Sequence, residues 1–537
     1  MDPTSHRRAS SAAPLLAGLA AAVLLALVPR TAGAQERERP EPDPVVVEPG
    51  YAEAVEAGTR SEDGSPGPAY WQQWTDYRIR ATLRPEEKRL EGRATMTYHN
   101  RSPDTLRTLH VHLHQNLHAE GTVRNEPQEV TGGVELDRVA VGGAELARGT
   151  AEGPGYTVEA TVLSLRPPAP VAPGDTATLE IDYGFTVPRS GAGRMGWDEG
   201  LFYVGYWYPQ MAVYDDVVGW QTDPYLGRGE FHMGFGSYDV AVSLPEGWVV
   251  RATGRLRNPD EVLTAGVRDR LERAEGSDSV VHVLGEGEFG AGTATVDAPD
   301  DTLTWRFRAD TVRDFAFSAT RSARWDAART PVGDRDEDGE TDYTRVEALW
   351  RSSAPNWAET WRYSQHAIDF LSRYTGVPYP WPHMTAVEGG GIIGGGMEYP
   401  MMTLMGDYNA RGDSALYYVT AHELAHMWVP MQVATDEKRY AWMDEGLTTF
   451  HENEARTEFF PGQRSHLPDM RDYVGVAREG HGVPIMRWMD YQYPRAGNVP
   501  NYDKPASVLV ALRSLIGDEA FREGLRTFLR EWRWKHP

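Results

Sequence analysis

The chain has 537 residues and a formal net charge of −24, with no cysteine. That excess of acid argues against nucleic acid or an anionic membrane surface as a partner. The lack of cysteine excludes disulfides and a lipid-modified cysteine, while the length allows more than one hydrophobic core.

The N-terminus carries His6, Arg7 and Arg8, an apolar run from Leu15 to Val28, and then Ala32-Gly33-Ala34 before Gln35. A basic start, a short apolar run and a small-x-small site predict a signal peptide over 1–34. The run is short for a membrane span, so an exported protein of a bacterial envelope is expected, with an uncleaved anchor as the alternative. Residues 35–70 are rich in Glu, Pro and Gly and read as a disordered spacer.

From Tyr77 to about 310, short runs of alternating apolar residues stand between Gly, Pro and Asp turns, as in Tyr238-Val240-Val242-Leu244. Period-two alternation predicts an all-β domain over 71–310. In it His110, His112 and His114 share one strand face and read as a solvated face. From 311 to 537 helical periodicity is expected to take over, beginning with a helix over 357–374.

Asp334, Asp336 and Asp338 start a D-x-D-x-D-G pattern like a calcium loop, but position twelve is Arg345 instead of Glu. An acidic surface loop is the expectation, with Ca²⁺ the lesser alternative. The glycine run 389–396 lacks the Lys-Ser/Thr of a phosphate loop and reads as flat backbone beside a cleft.

His422-Glu423-Leu424-Ala425-His426 is the most telling segment. Histidines four apart on a helix share a face. Ser414 stands as an N-cap, and the run to Val429 is apolar around the motif. An apolar helix is a buried one, so His422, Glu423 and His426 are polar groups set in a core, where a metal supplies the missing partner. Glu445, in Trp442-Met443-Asp444-Glu445-Gly446, follows on a helix expected over 440–456. Two histidines and a glutamate with one open position favour zinc. Glu423 is then placed to take a proton from a water that the metal activates.

These residues resemble the M1 family of zinc aminopeptidases, gluzincins that include aminopeptidase N and leukotriene A4 hydrolase. That family pairs His-Glu-x-x-His with a glutamate after eighteen intervening residues, as Glu445 stands here. It also carries a Gly-x-Met-Glu-Asn strand, matched by Gly395-Gly396-Met397-Glu398, with Tyr399 where the family has Asn. The resemblance makes Glu398 the anchor for the substrate's α-amine, with Gly395, Gly396 and Met397 beside it. Tyr502-Asp503-Lys504-Pro505-Ala506 resembles the family's Tyr-x-Lys-Gly segment, which makes Tyr502 the oxyanion donor; Pro505 replaces the Gly. Gln210 resembles a glutamine that helps hold the amino end, and Glu452 a glutamate outside the metal ligands.

The fold so implied is multidomain: an N-terminal all-β, saddle-like domain, then a mainly α, thermolysin-like α+β zinc peptidase domain, cut short at the C-terminus relative to the family. The function implied is zinc-dependent removal of N-terminal residues from peptides with a free amine, with one Zn²⁺ per chain and no stable membrane partner. An endopeptidase or epoxide hydrolase on the same fold is the first alternative, and a non-catalytic peptide-binding envelope protein the second.

Overall fold

The computed structural model describes residues 47–149, 153–492 and 494–537. The signal-peptide expectation falls outside them. Among the described residues no helix is long and apolar enough to cross a membrane.

The N-terminal region is β-rich. Along Trp74–Arg84 every second side chain (Thr75, Tyr77, Ile79, Ala81, Leu83) is buried, so one face of the pleat packs on the core and the other meets solvent. This strand lies parallel to Gly236–Pro245 and antiparallel to Arg89–His99. The three sit in the middle of an eight-stranded sheet. A five-stranded, a four-stranded and a two-stranded sheet accompany it in the region.

The spacer is not disordered throughout. Residues 49–56 form a helix. Arg60 is buried, pairs with Asp216 at 2.7 Å and lies 4.9 Å from the Trp532 ring. Local composition at 47–70 lacks a core of its own, but these tertiary contacts hold it.

Strands also run further than the alternation suggested. The region 71–310 is not all-β, since Pro259–Val262 and Ala265–Glu275 are helical; the boundary at 310 falls inside the strand Thr302–Val312, and Phe317–Thr320, Arg324–Gly333 and Asp342–Trp350 follow before the helix Thr360–Thr375. The last two belong to a six-stranded sheet ordered Val281–Leu284, Arg324–Gly333, Asp342–Trp350, His383–Glu388, Met402–Met405 and Gly396–Tyr399. Its terminal strand is therefore the one that carries Glu398.

The C-terminal part is helical. Thr360–Thr375 buries Tyr363, Ala367, Ile368, Phe370 and Leu371 on one face and stops at Gly376, whose φ of 66° is the left-handed conformation that glycine accepts at a helix end. The helix Asp413–Ala425 packs between it and Leu447–Phe459. Gly412, at φ 82°, takes the N-cap position, one residue before the helix and two before the expected Ser414. Leu416, Leu424 and Trp428 are nearly inaccessible, and each such side chain contributes roughly 1.5–3 kcal/mol by leaving water. Helix, sheet edge and β-rich region meet at the buried polar group described next.

Candidate active site

His422 lies in the last turn of Asp413–Ala425, and His426 caps that helix in a helical conformation. Their spacing therefore still puts both rings on one side. Glu445 reaches them from a single π-helical turn, Trp442–Gly446, that runs directly into Leu447–Phe459. A π turn holds one more residue than an α turn and is common at functional sites. Here both Asp444 and Glu445 are buried in it. Gly446 is required, because a side chain there would strike Pro505. Pro505 itself sits in the first turn of Asp503–Ile516, where a missing N–H costs nothing.

Three inward atoms stand where they could hold a metal ion. Glu445 Oε2 lies 3.1 Å from His422 Nε2 and 3.4 Å from His426 Nε2. A tetrahedral zinc with bonds of about 2.0–2.1 Å holds its ligands roughly 3.3–3.4 Å apart, so these donors fit the ion in number, type and spacing. His422 Nδ1 in turn faces Glu452 Oε2 at 3.2 Å, the outer contact that orients such a ring. His426 Nδ1 faces Val429 O at 3.3 Å and Thr448 Oγ1 at 3.2 Å, with Asp444 Oδ1 at 2.8 Å but outside hydrogen-bonding geometry.

The electrostatics show how many carboxylates are gathered here. Burial opposes charge on His422, but hydrogen bonds to Glu445 and Glu452 outweigh it and raise its pKa to about 10. Burial raises the Glu423 carboxyl, the neighbouring histidines oppose this, and Glu398 adds to it. Glu423 is buried, with Thr403 Oγ1 at 3.4 Å from Oε2. Gly396 lies against it: a Cβ there would collide with the Glu423 carboxylate. Gly395 accepts a hydrogen bond from Gly406 N at 2.9 Å, and Met397 is buried.

Glu398 is buried 3.9 Å from His426 Nδ1, beside the ligand set. Tyr502 donates to Glu445 Oε1, and its ring lies 5.9 Å from that of His422. The structure thus gathers His422, Glu423, His426, Glu445, Glu398, Tyr502, Glu452 and Gly396 in one place. Gln210 is buried too, but its amide donates to Arg313 O at 3.0 Å and not to a carboxylate of the group.

Sequence reasoning missed the charged residues around Glu398. Carboxylate oxygens of Glu230, Glu398 and Glu437 lie within 4.8 Å of one another. Arg194 pairs with Glu230 at 2.7 Å, and Arg313 pairs with Glu437. No motif spacing marks them, and Asp436-Glu437-Lys438 reads as an ordinary surface charge run. At the loop 334–342, oxygens of Asp334, Asp336 and Asp342 also come within 4.8 Å of one another, while Asp338 accepts from Glu340 N.

Comparison with known proteins agrees with this geometry. Residues 360–536 match the family model described as the Peptidase family M1 domain. Aminopeptidase M1-C of Oryza sativa subsp. japonica is 24% identical over 184 residues, 32% of this chain and 21% of that protein. Leucyl aminopeptidase of Saccharolobus solfataricus is 24% identical over 187 residues, 32% of this chain and 24% of that one. The chain thus spans about a fifth to a quarter of the length of these relatives. The crystal structure of an M1 zinc metallopeptidase from Deinococcus radiodurans superposes with a TM-score of 0.56 at 17% identity, over 87% of this chain and 88% of that one.

Proposed function

Taking residues 360–536 as an M1 peptidase domain, we propose that the protein is a zinc-dependent aminopeptidase that removes N-terminal residues from peptides with a free amine. The observation that carries this reading is the Glu398 carboxylate, fixed on an edge strand and only 3.9 Å from a histidine of the zinc-ligating set. A buried carboxylate that close to the reacting centre selects a substrate whose ammonium is one residue from the scissile bond. Relatives named aminopeptidases support it, as does a mutant of the D. radiodurans enzyme crystallised with a Tyr-Ser-Ala substrate.

His422, His426 and Glu445 would hold the zinc, which when bound supplies Lewis acidity toward water and the substrate carbonyl. Glu423 takes the proton from the attacking water and passes it to the leaving amine. Its burial favours this, since a carboxyl shifted up from 4.5 is a better base near neutral pH. Tyr502 turns its hydroxyl from Glu445 toward the oxygen that becomes negative. Glu398 holds the ammonium, and Glu452 keeps the His422 ring oriented. Export rests on the leader pattern at 1–34 alone.

One peptide, supplied with a free and with an acetylated N-terminus, tests the reading by mass spectrometry, with a chelator control. Stepwise, chelator-sensitive loss from the free peptide alone is expected. Internal cleavage of both forms would make the enzyme an endopeptidase and remove the role given to Glu398. Cleavage of neither would favour a peptide-binding protein.

A further inference from the structure

Outside the group around His422, five arginines face one cavity. Arg255 and Arg257 flank Leu256 at the edge of the eight-stranded sheet, so they share a face. Arg257 N donates to Arg306 O at 2.7 Å and keeps the chain on that course. Arg268 stands on the helix Ala265–Glu275, with Glu272 and Glu275 one and two turns further along the same side. Arg251 comes from Val249–Ala252 and Arg345 from Asp342–Trp350. Together they line a cavity of about 400 Å³ whose walls belong to three different sheets.

Two of the five are committed. Arg251 meets both oxygens of Glu347 at 2.7 Å, and Arg345 is shared between Glu347 and Glu275, also at 2.7 Å. Arg255, Arg257 and Arg268 form no ion pair among the described residues. Arg268 is the most telling of these, because its Nε is buried without a hydrogen-bond partner there. Arg194, Arg324, Arg439 and Arg456 share that feature, but each holds a carboxylate through another nitrogen. Arg268 holds none. A buried charged donor without an acceptor is costly, so the position calls for an anion.

The charges on the walls state which kind of anion. Glu347 is ionised, since the two arginines on it outweigh its burial. Glu272 and Glu275 are exposed. His383 also lines the cavity, but burial, and after it Arg251, hold its pKa at about 3, so the ring is neutral. Five guanidinium groups thus face three carboxylates, which leaves two positive charges in a chain whose net charge is −24. A phosphoryl dianion matches that excess, and its tetrahedral oxygens accept N–H forks arriving from several directions. A carboxylate brings one charge and a flat pair of oxygens. The volume lies within the range of small-molecule sites, so an organic body attached to the phosphoryl group has room.

We infer that this cavity binds a phosphoryl dianion, as inorganic phosphate or as the phosphate monoester of a small molecule. Arg255, Arg257 and Arg268 hold it, while Arg251 and Arg345 stay on Glu347. Because three sheets supply the walls, occupancy stabilises their junction. The inference is independent of the peptidase reading.

Isothermal titration calorimetry of the full, zinc-loaded chain at low salt tests it, with inorganic phosphate, glycerol phosphate, glycerol, and sodium chloride at matched ionic strength. Saturable one-to-one binding of both phosphates is expected, with none of glycerol, and phosphate should raise the melting temperature where chloride does not. Arg268→Gln should weaken binding about 10–100-fold, the loss of one charge-assisted hydrogen bond. Arg257→Gln, at an exposed position, is the second probe and should weaken it in the same direction. Circular dichroism and peptide hydrolysis without phosphate should match wild type in both variants. Tighter binding of glycerol phosphate would assign the cavity to a phosphorylated small molecule, and equal binding to the free ion; either supports the site. No saturable binding, a melting shift that chloride reproduces, or variants that bind phosphate as wild type does would overturn it, the last by placing the anion at the zinc.

Discussion

Glu347 offers a quantitative test of what joins the β-rich region to the six-stranded sheet. It is fully buried in the strand Asp342–Trp350. Arg251, from Val249–Ala252 of the four-stranded sheet, meets both its oxygens at 2.7 Å. Arg345 Nε adds a contact at 2.7 Å and Trp325 Nε1 one at 3.0 Å. Burial works against the charge, but Arg251 and then Arg345 outweigh it and hold the carboxyl at about 2 instead of 4.5. That depression is worth about 3 kcal/mol of folding stability at neutral pH. Breaking a buried pair by removing one partner costs about 3–5 kcal/mol, so two independent routes agree.

Glu347→Gln should therefore destabilise the protein by about 3 kcal/mol at pH 7, read by urea unfolding through tryptophan fluorescence. The sign of the pH dependence follows from the depressed value. The stabilisation is complete above about 4.5 and is lost as pH falls from there through about 2. Wild type and variant should converge over that window, because protonated Glu347 deprives Arg251 and Arg345 of the same carboxylate charge as Gln does, while Arg345 keeps Glu275 at 2.7 Å in both. Equal stability at pH 7, or a gap that stays constant down to the foot of the window, would refute the argument.

Three further outcomes concern the site. Glu452→Ala removes the acceptor 3.2 Å from His422 Nδ1 and should weaken zinc binding about 10–100-fold, measured by competition with a chromogenic chelator. Gly396→Ala pushes a methyl group into the Glu423 carboxylate; kcat should fall while zinc content, read by atomic absorption, stays at the wild-type value. Tyr502→Phe should lower kcat by about 10²–10³ with KM nearly unchanged, and a variant of wild-type kcat would remove Tyr502 from the reaction.

What the sequence discloses depends on how local the physics is. Two ligands one helical turn apart must be written as His-x-x-x-His, so His422 and His426 are legible wherever the helix is. Glu398 and Glu445 are legible because a family keeps their distance from that helix. Period-two reasoning failed at the histidines. His110 is half-buried against Ser164, while His112 and His114 are buried outright. The strand Leu109–His112 runs between Gln210–Met211 and Val162–Arg166 inside a sheet, and the chain enters a 3₁₀ turn at His114, which ends the alternation. Burial lowers the His112 pKa to about 4, so these rings are neutral core groups.

The remaining losses share one cause. Glu230 stands 168 residues from Glu398 in sequence, and only the folded chain shows that Arg194, Met397 and Tyr399 join them. A carboxylate in Gly-Arg-Gly-Glu-Phe carries no sign of burial, because what buries it lies elsewhere in the chain. The π turn is similar: Trp442–Gly446 has the composition of an ordinary helix, and the extra residue that turns Asp444 inward with Glu445 is settled by packing of Gly446 on Pro505. Side chains one helical turn apart are thus readable from spacing, whereas the charges gathered around Glu398 come from separate parts of the chain. In this protein Arg194 and Glu230 come from the β-rich region, Glu398 from the edge strand Gly396–Tyr399, and Glu437 from the segment after the helix Asp413–Ala425.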